Sequence, residues 1–422
     1  MPVVDLPVFH PGQLDAFWRL GPHRFKALRC GRRWGKTQMA EIITCDAAAK
    51  GKNIGYFAPD YKIIAETYVD IADVLRPITR ASSKVEGVIR TISRGRVDYW
   101  TLENERAGRS RKYHGIIIDE AAFTKPNMMR VWETAIRPAL LDFGGWAYAL
   151  STPNGADPDN FFWRICNEAG HGFHEFHAPT HTNPHLPAEE LEKLERENHP
   201  LVYKQEYLGE FVDWSGVQFF SLDNCLENGL PVPLPKRCDA VFATIDTAVK
   251  SGQEHDGVAV TYWARSNVGN HPLIVLDYDI QQLEGSLLEI WLPSVFQTLE
   301  GYARTCGARV GSIGAFIEDK VSGTILIQQA KRRNWNAHEI DSKLTSLGKD
   351  ERAISVSGYV YRRMVKLSQN AYDRIVVYKG HSMNHLLRQV FGYRVGQKDK
   401  DDDLLDTWCY GIALALGNAE MF

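Results

Sequence analysis

The chain has 422 residues, 44% hydrophobic and 24% charged, with a formal net charge of -3. That length calls for more than one core, and the composition excludes disordered, collagen-like and disulfide-framed classes. No run approaches the ~20 apolar residues that span a bilayer, the amino terminus has no secretory pattern, and the seven scattered cysteines fit a reducing, cytoplasmic setting.

The first distinctive residues are Phe9-His10-Pro11-Gly12-Gln13, where the Gln13 amide could read an adenine edge or simply be a solvated side chain in an amino-terminal turn. A strand-like run from Phe25 to Leu28 then gives way, across Gly31-Arg32-Arg33-Trp34-Gly35-Lys36-Thr37, to a helical run beginning at Gln38. A Gly-rich turn between strand and helix presents N–H groups to phosphates. Lys36 would reach the β- and γ-phosphates, and the Thr37 hydroxyl would bind Mg²⁺. The generic pattern wants glycine at position 30, where this chain has Cys30. Arg32 and Arg33 could neutralise charge on a transferred phosphoryl group, remain ordinary surface cations, or contact DNA.

Strands are expected at 26–29, 53–57, 96–102, 115–118 and 146–151, with helices at 61–75 and 127–141 between them. The alternation predicts a mainly parallel α/β sheet with ligands at the carboxyl ends of its strands. Ile116, Ile117 and Ile118 read as a strand buried on both faces, and Asp119-Glu120 follow at its end. Asp119 would hold Mg²⁺ and Glu120 could polarise the attacking water. Ser151-Thr152-Pro153 ends the next strand, where hydroxyls can sense a γ-phosphate or simply close a turn. Five histidines between His171 and His185 are interrupted by prolines and give no clean metal face, so they are expected as loop and strand-edge residues.

A charged helical tract at 188–198 leads towards a boundary near Asp213. The domains are expected at 1–212 and 236–422, with 213–235 as linker. The second begins with strands at 240–246, 257–264 and 273–280 and a helix at 286–302, which predicts a mixed sheet. Asp246 ends the first of these strands and Glu318-Asp319 follow another, while Asp402, Asp403 and Asp406 open a final helix on which Asp403 and Asp406 share a face. Carboxylates from two strand ends and one helix could converge on a pair of divalent ions. Since net charge gives no global nucleic-acid footprint, DNA contact would fall on local tracts, at 106–112, 331–333 and Arg362-Arg363 with Lys366.

Together these motifs resemble, over essentially the whole chain, the large subunit of a tailed-bacteriophage terminase, a DNA-packaging ATPase and nuclease. The stretch 9–13 looks like that family's adenine-side glutamine motif. Residues 30–37 look like its divergent phosphate loop, with Arg32 at the typical arginine position. Residues 116–122 look like its metal-binding strand with catalytic Glu120, and Ser151-Thr152-Pro153 like its coupling motif. Tyr203 to Phe211 resembles the segment that closes the ATPase domain.

The resemblance implies a P-loop ATPase followed by an RNase H-like nuclease. Asp246, Glu318 and Asp403 would be the metal ligands, with Asp402 and Asp406 as alternatives. A histidine often precedes the family's last acid pair, and here Lys400-Asp401 stand instead. ATP with Mg²⁺ at one site and Mg²⁺ or Mn²⁺ at the other are the implied cofactors. Double-stranded viral DNA, a portal protein, a small terminase subunit and a pentameric ring are the implied partners, in the cytoplasm of an infected bacterium and not in the mature virion. Two rivals stay open: a helicase-like translocase whose second domain is only structural, and a resolvase- or transposase-type nuclease with an incidental phosphate loop.

Overall fold

The computed structural model describes residues 4–247, 257–267, 271–283, 288–318, 321–396 and 402–417. It divides into two compact units, one of residues 1–196 and 200–213, the other of 197–199 and 214–422. Asp319, Lys400 and Asp401 lie outside the described residues.

The first unit is built on eight strands: β1 (Phe25–Cys30), β2 (Asn53–Ala58), β3 (Thr79–Ser83), β4 (Val88–Thr91), β5 (Arg96–Thr101), β6 (Gly115–Asp119), β7 (Trp146–Ser151) and β8 (Phe173–Ala178). Their order is β3-β4-β5-β2-β6-β7-β1-β8, parallel from β5 to β8 and antiparallel where β4 meets β3 and β5. This is the expected mainly parallel α/β sheet. The expected strands and the Tyr61–Leu75 helix are present, whereas β3, β4 and β8 come in addition. His174 and His177 lie on edge strand β8.

The triple isoleucine of β6 is wholly buried, as a strand covered on both faces should be. Burial of each such side chain contributes roughly 1.5–3 kcal/mol. The helix expected over 127–141 is instead a series of short turns: α-helical at Met128–Val131, wider at Trp132–Ile136 and tight at Arg137–Leu140. Pro138 lacks the N–H that a continuous helix would need there.

The second unit carries β9 (Ala240–Thr247), β10 (Gly257–Arg265), β11 (Leu273–Gln282), β12 (Ser312–Ile317), β13 (Ala337–Glu339) and β14 (Val365–Leu367) in the order β13-β12-β9-β10-β11-β14. β9, β10 and β11 are antiparallel neighbours, while β12 joins β9, and β14 joins β11, in parallel. The result is the expected mixed sheet. A separate hairpin pairs β15 (Val376–Tyr378) with β16 (His381–Met383).

The span 213–235 does not act as a bare linker. Phe219, Phe220 and Cys225 are buried in the second unit's core, because a Phe-Phe pair is too apolar to be left in a solvated connector.

The Asp403–Ile412 helix lies across β9 and β10. Thr244 Oγ1 donates to the Thr407 carbonyl at 2.9 Å, and the Thr261 and Thr407 hydroxyls share a bond of 2.8 Å. Gly411 allows this approach: a Cβ there would lie 2.2 Å from the buried Trp263 indole. Gly411→Ala should therefore destabilise the protein by about 1–3 kcal/mol. Gly301→Ala, in a helix with open space around it, should be neutral or slightly stabilising. Thermal unfolding of both variants checks this, and an unchanged midpoint for Gly411→Ala would show that this contact does not set the helix's position.

Candidate functional site

The sheet order puts the carboxyl ends of β1, β7 and β6 side by side, with Arg29 opposite Ser151 and Asp119 opposite Leu150. Here β1 turns through residues 31–35 into the Lys36–Ala49 helix. Cys30 is the last residue of β1 and fully buried, and burial pushes its thiol up to about 12. It fills core where a glycine would leave a gap. Gly35 has φ +100°, a left-handed conformation that glycine adopts without strain.

Lys36 is buried, and its ammonium donates to the Cys30 carbonyl at 3.0 Å, the Gly31 carbonyl at 3.1 Å and Thr152 Oγ1 at 2.9 Å. All three of its protons are thereby used around the loop. The loop borders a 660 Å³ cavity lined by Arg32, Arg33, Gly35, Lys36, Thr37, Gln38, Pro59, Asp60, Ile63, Glu120, Phe123 and Thr152.

The expected site residues are thus brought together in two layers. Arg32, Arg33, Gly35, Lys36, Thr37, Glu120 and Thr152 face the cavity. Gln13, Gly31, Asp119 and Ser151 stand behind them. Gln13 braces the loop from behind. It is fully buried, accepts the His10 N–H at 3.0 Å and donates to the Gly35 carbonyl at 2.9 Å, so its amide is committed to bracing the loop. Gly31 N–H likewise donates to the Ala178 carbonyl at 3.0 Å rather than into the cavity.

Asp119 is fully buried, accepting from the Tyr56 hydroxyl at 2.8 Å and the Glu120 N–H at 2.9 Å. Glu120 has φ 47°, an uncommon backbone for a non-glycine residue, and its carboxylate accepts from the Ser151 hydroxyl at 3.1 Å. Tyr56 was missed in the sequence; a lone tyrosine in an apolar buried strand was its one signal, since a buried hydroxyl requires a partner.

Glu206 was missed as well. It ends the Pro200–Glu206 helix, meets the Arg32 guanidinium at 2.5 Å, and its carbonyl accepts the Arg32 N–H at 2.7 Å. The stretch that follows it is tied to the elements flanking the loop: Thr180 N–H reaches the Tyr207 carbonyl, and the Arg29 guanidinium reaches that of Gly209.

In the second unit, Ile317 pairs with Ile245, and the Glu318 N–H donates to the Ile245 carbonyl at 3.1 Å. This sets Glu318 beside Asp246. Asp246, Glu318, Asp403 and Asp406 are all buried. Burial, then repulsion from Asp406 and Glu318, holds Asp246 well above the usual carboxylate range. Burial likewise pushes Asp406 up to about 6, against the pull of Arg352 at 3.4 Å. Asp403 accepts from the Tyr378 hydroxyl at 3.3 Å, whereas Asp402 is drawn to Lys349.

The four acids repel one another, yet among the described residues no three His, Cys, Asp or Glu side chains are grouped tightly enough to ligate one ion as they stand. The donor set still fits a hard divalent cation. It is all oxygen, and Asp246 Oδ1 is buried and meets no hydrogen-bond donor.

Of the basic tracts, Lys366 is spent internally. It is buried and donates to the Asn224 and Leu226 carbonyls at 3.1 and 2.7 Å. Arg362 pairs with Glu197 at 3.6 Å and Lys112 with Asp142 at 2.7 Å.

No protein-family model and no curated protein matches the chain. Solved structures do. The large terminase of a thermophilic bacteriophage, in complex with ADP, is 13% identical, with a TM-score of 0.67 over 97% of this chain and 100% of that one. The same phage's large terminase in complex with ATP-gamma-S is 14% identical, with a TM-score of 0.64 over 96% and 99%. The fold is therefore that of a P-loop domain joined to an RNase H-like domain. More narrowly, along nearly its whole length it is the fold of a phage large terminase. No described helix is long and apolar enough to cross a membrane.

The state of Asp119 has a measurable consequence. Burial, and then Glu120 beside it, pushes the Asp119 carboxyl up to about 6 in the folded protein. An unfolded aspartate titrates near ~3.9. Its contribution to stability is therefore fully present below pH ~4 and is lost as pH rises through about 6, by about 3 kcal/mol. Asp119→Asn should be more stable than the wild type at pH 7 and no more stable near pH 4. Urea unfolding at the two pH values checks this, and a wild-type advantage at pH 7 would refute the assignment.

Proposed function

We propose that this chain is the motor subunit of a viral DNA-packaging machine, hydrolysing ATP to translocate double-stranded DNA and cutting concatemeric DNA with its second domain. The observation that carries this reading is that one chain holds a phosphate-loop cavity and a buried four-carboxylate cluster, within a fold shared end to end with a phage large terminase. The ADP and ATP-gamma-S complexes of that terminase support a nucleotide in the equivalent cavity here.

In the ATPase unit, Lys36 would exchange its loop carbonyls for the β- and γ-phosphate oxygens. Thr37 and Asp119 would hold Mg²⁺, which supplies charge neutralisation on the phosphates. Glu120 lines the cavity and would orient the attacking water. Its bond from Ser151 and the bond from Lys36 to Thr152 tie γ-phosphate loss to the end of β7. Arg32 would supply positive charge to the departing phosphoryl group from within the loop.

In the nuclease unit, Asp246, Glu318, Asp403 and Asp406 would hold Mg²⁺ or Mn²⁺, which would activate water and steady the leaving oxygen. Asp402, paired with the half-exposed Lys349, would be the alternative ligand. Exposed members of the basic tracts at 106–112 and 331–333 would meet the DNA backbone without reading its sequence. A pentameric ring on a portal protein, with a small terminase subunit choosing the DNA in the bacterial cytoplasm, completes the proposal.

The two activities should separate in the full chain. Glu120→Gln should lower ATP turnover at least ~10²-fold while leaving Mn²⁺-dependent plasmid cutting intact, and Asp246→Asn should do the reverse. Unchanged cutting in Asp246→Asn would favour a helicase-like translocase with an inert second domain. Separately, Lys36→Ala should lose ATP turnover. Normal turnover in that variant would favour a nuclease with an incidental loop.

A further inference from the structure

We propose that Arg352 is the resident counter-ion of the acid cluster, a positioning residue that shares Asp406 with an incoming divalent cation. The inference rests on the nuclease reading and concerns how that site is kept assembled before any metal binds.

The Lys349–Tyr361 helix packs against the Asp403–Ile412 helix. One turn of the first meets the start of the second as two charged rungs: Lys349 to Asp402, and Arg352 to Asp406. The first rung is half-exposed and screened by water, so it adds little. The second is buried on both sides, where the full desolvation of each charge must be offset by its neighbours.

Arg352 does more than pair with Asp406. Its guanidinium lies 4.9 Å over the Tyr410 ring and donates to the Tyr410 hydroxyl. That hydroxyl in turn donates to Glu318 Oε1 at 3.0 Å. One cation thus stands 3.4 Å from the helix acid, as a neighbouring charge and not as a hydrogen-bond donor, and reaches the strand-end acid through a tyrosine whose bonds polarise one another. A second donor of Arg352 holds the Leu347 carbonyl at 3.1 Å, which fixes the guanidinium in place. Its Nε is buried and meets no acceptor, so the group is not placed there merely to satisfy hydrogen bonds.

Hydrogen bonding at Asp246 and Asp406 remains incomplete. Asp246, Glu318 and Asp406 face one buried guanidinium, and Asp246 Oδ1 has no donor. A divalent cation entering this cluster therefore adds to Arg352 rather than meeting bare acids. Repulsion between the two cations weakens metal binding, while the bridge to Glu318 keeps the acids in register. Removing the charge should thus have opposite effects on the empty and the loaded protein.

The test is Mn²⁺ titration by calorimetry on the full chain, with thermal unfolding in EDTA and in Mn²⁺. Arg352→Gln should bind Mn²⁺ about tenfold more tightly than wild type. It should also melt earlier in EDTA and regain its midpoint with Mn²⁺. Arg352→Lys, which keeps the charge, should bind Mn²⁺ close to the wild-type affinity. Equal or weaker Mn²⁺ binding by a folded Arg352→Gln overturns the inference while leaving the nuclease reading in place. Should Arg352→Gln fail to fold, pairing it with Asp406→Asn should restore the transition, and failure of that rescue also overturns the inference. A wild-type chain that binds no Mn²⁺ sinks the nuclease reading, and the competition falls with it.

Discussion

Negative charge held out of water at strand ends is the constraint on which both halves of this protein depend. A carboxylate at the end of an apolar, doubly covered strand is firmly placed but poorly solvated, and the energy of leaving it uncompensated is large. Each unit answers with a different compensation. Asp119 is satisfied by a tyrosine hydroxyl and a backbone N–H. Asp406 is held beside a buried guanidinium. Asp246 keeps one oxygen without a donor, which leaves that cluster with a standing demand for positive charge.

The phosphate loop is subject to the complementary constraint, positive charge that must be parked. Lys36 folds back on two loop carbonyls and Thr152, and Arg32 lies against Glu206. The loop is further clasped from behind by His10 and Gln13, and by the carbonyls of Ala178 and Glu206. These contacts draw on elements far apart in the chain. A ligand that takes over Lys36 or Arg32 would therefore be felt in the β7 end and in the 200–209 segment together. This gives a physical route from phosphate chemistry to backbone position without invoking any distant network.

Much of this was legible in the sequence because it is local. The phosphate loop sits in a strand-turn-helix context, β6 declares itself by three isoleucines before Asp119-Glu120, and the second sheet begins with three successive β-rich runs. These patterns follow from the period of side-chain burial, which depends only on neighbours in the chain. Edge strands β3 and β8 were not legible, since partly exposed strands lose the apolar signature that periodicity detects.

What the sequence by itself determined was the set of acids, the loop and the class of each sheet. It could not say which way Gln13 turns, that Lys366 is buried, or that 213–235 joins the second core. Nor could it say that Asp402 stands beside Lys349 and Asp406 beside Arg352. Those are decided by partners brought in from elsewhere: Gly35 for Gln13, the Asn224 and Leu226 carbonyls for Lys366, Lys349 for Asp402 and Arg352 for Asp406. A side chain's identity fixes what it can bond. Only the packing of distant segments fixes what stands within ~3 Å of it, and in a buried site that nearest neighbour sets both charge state and role.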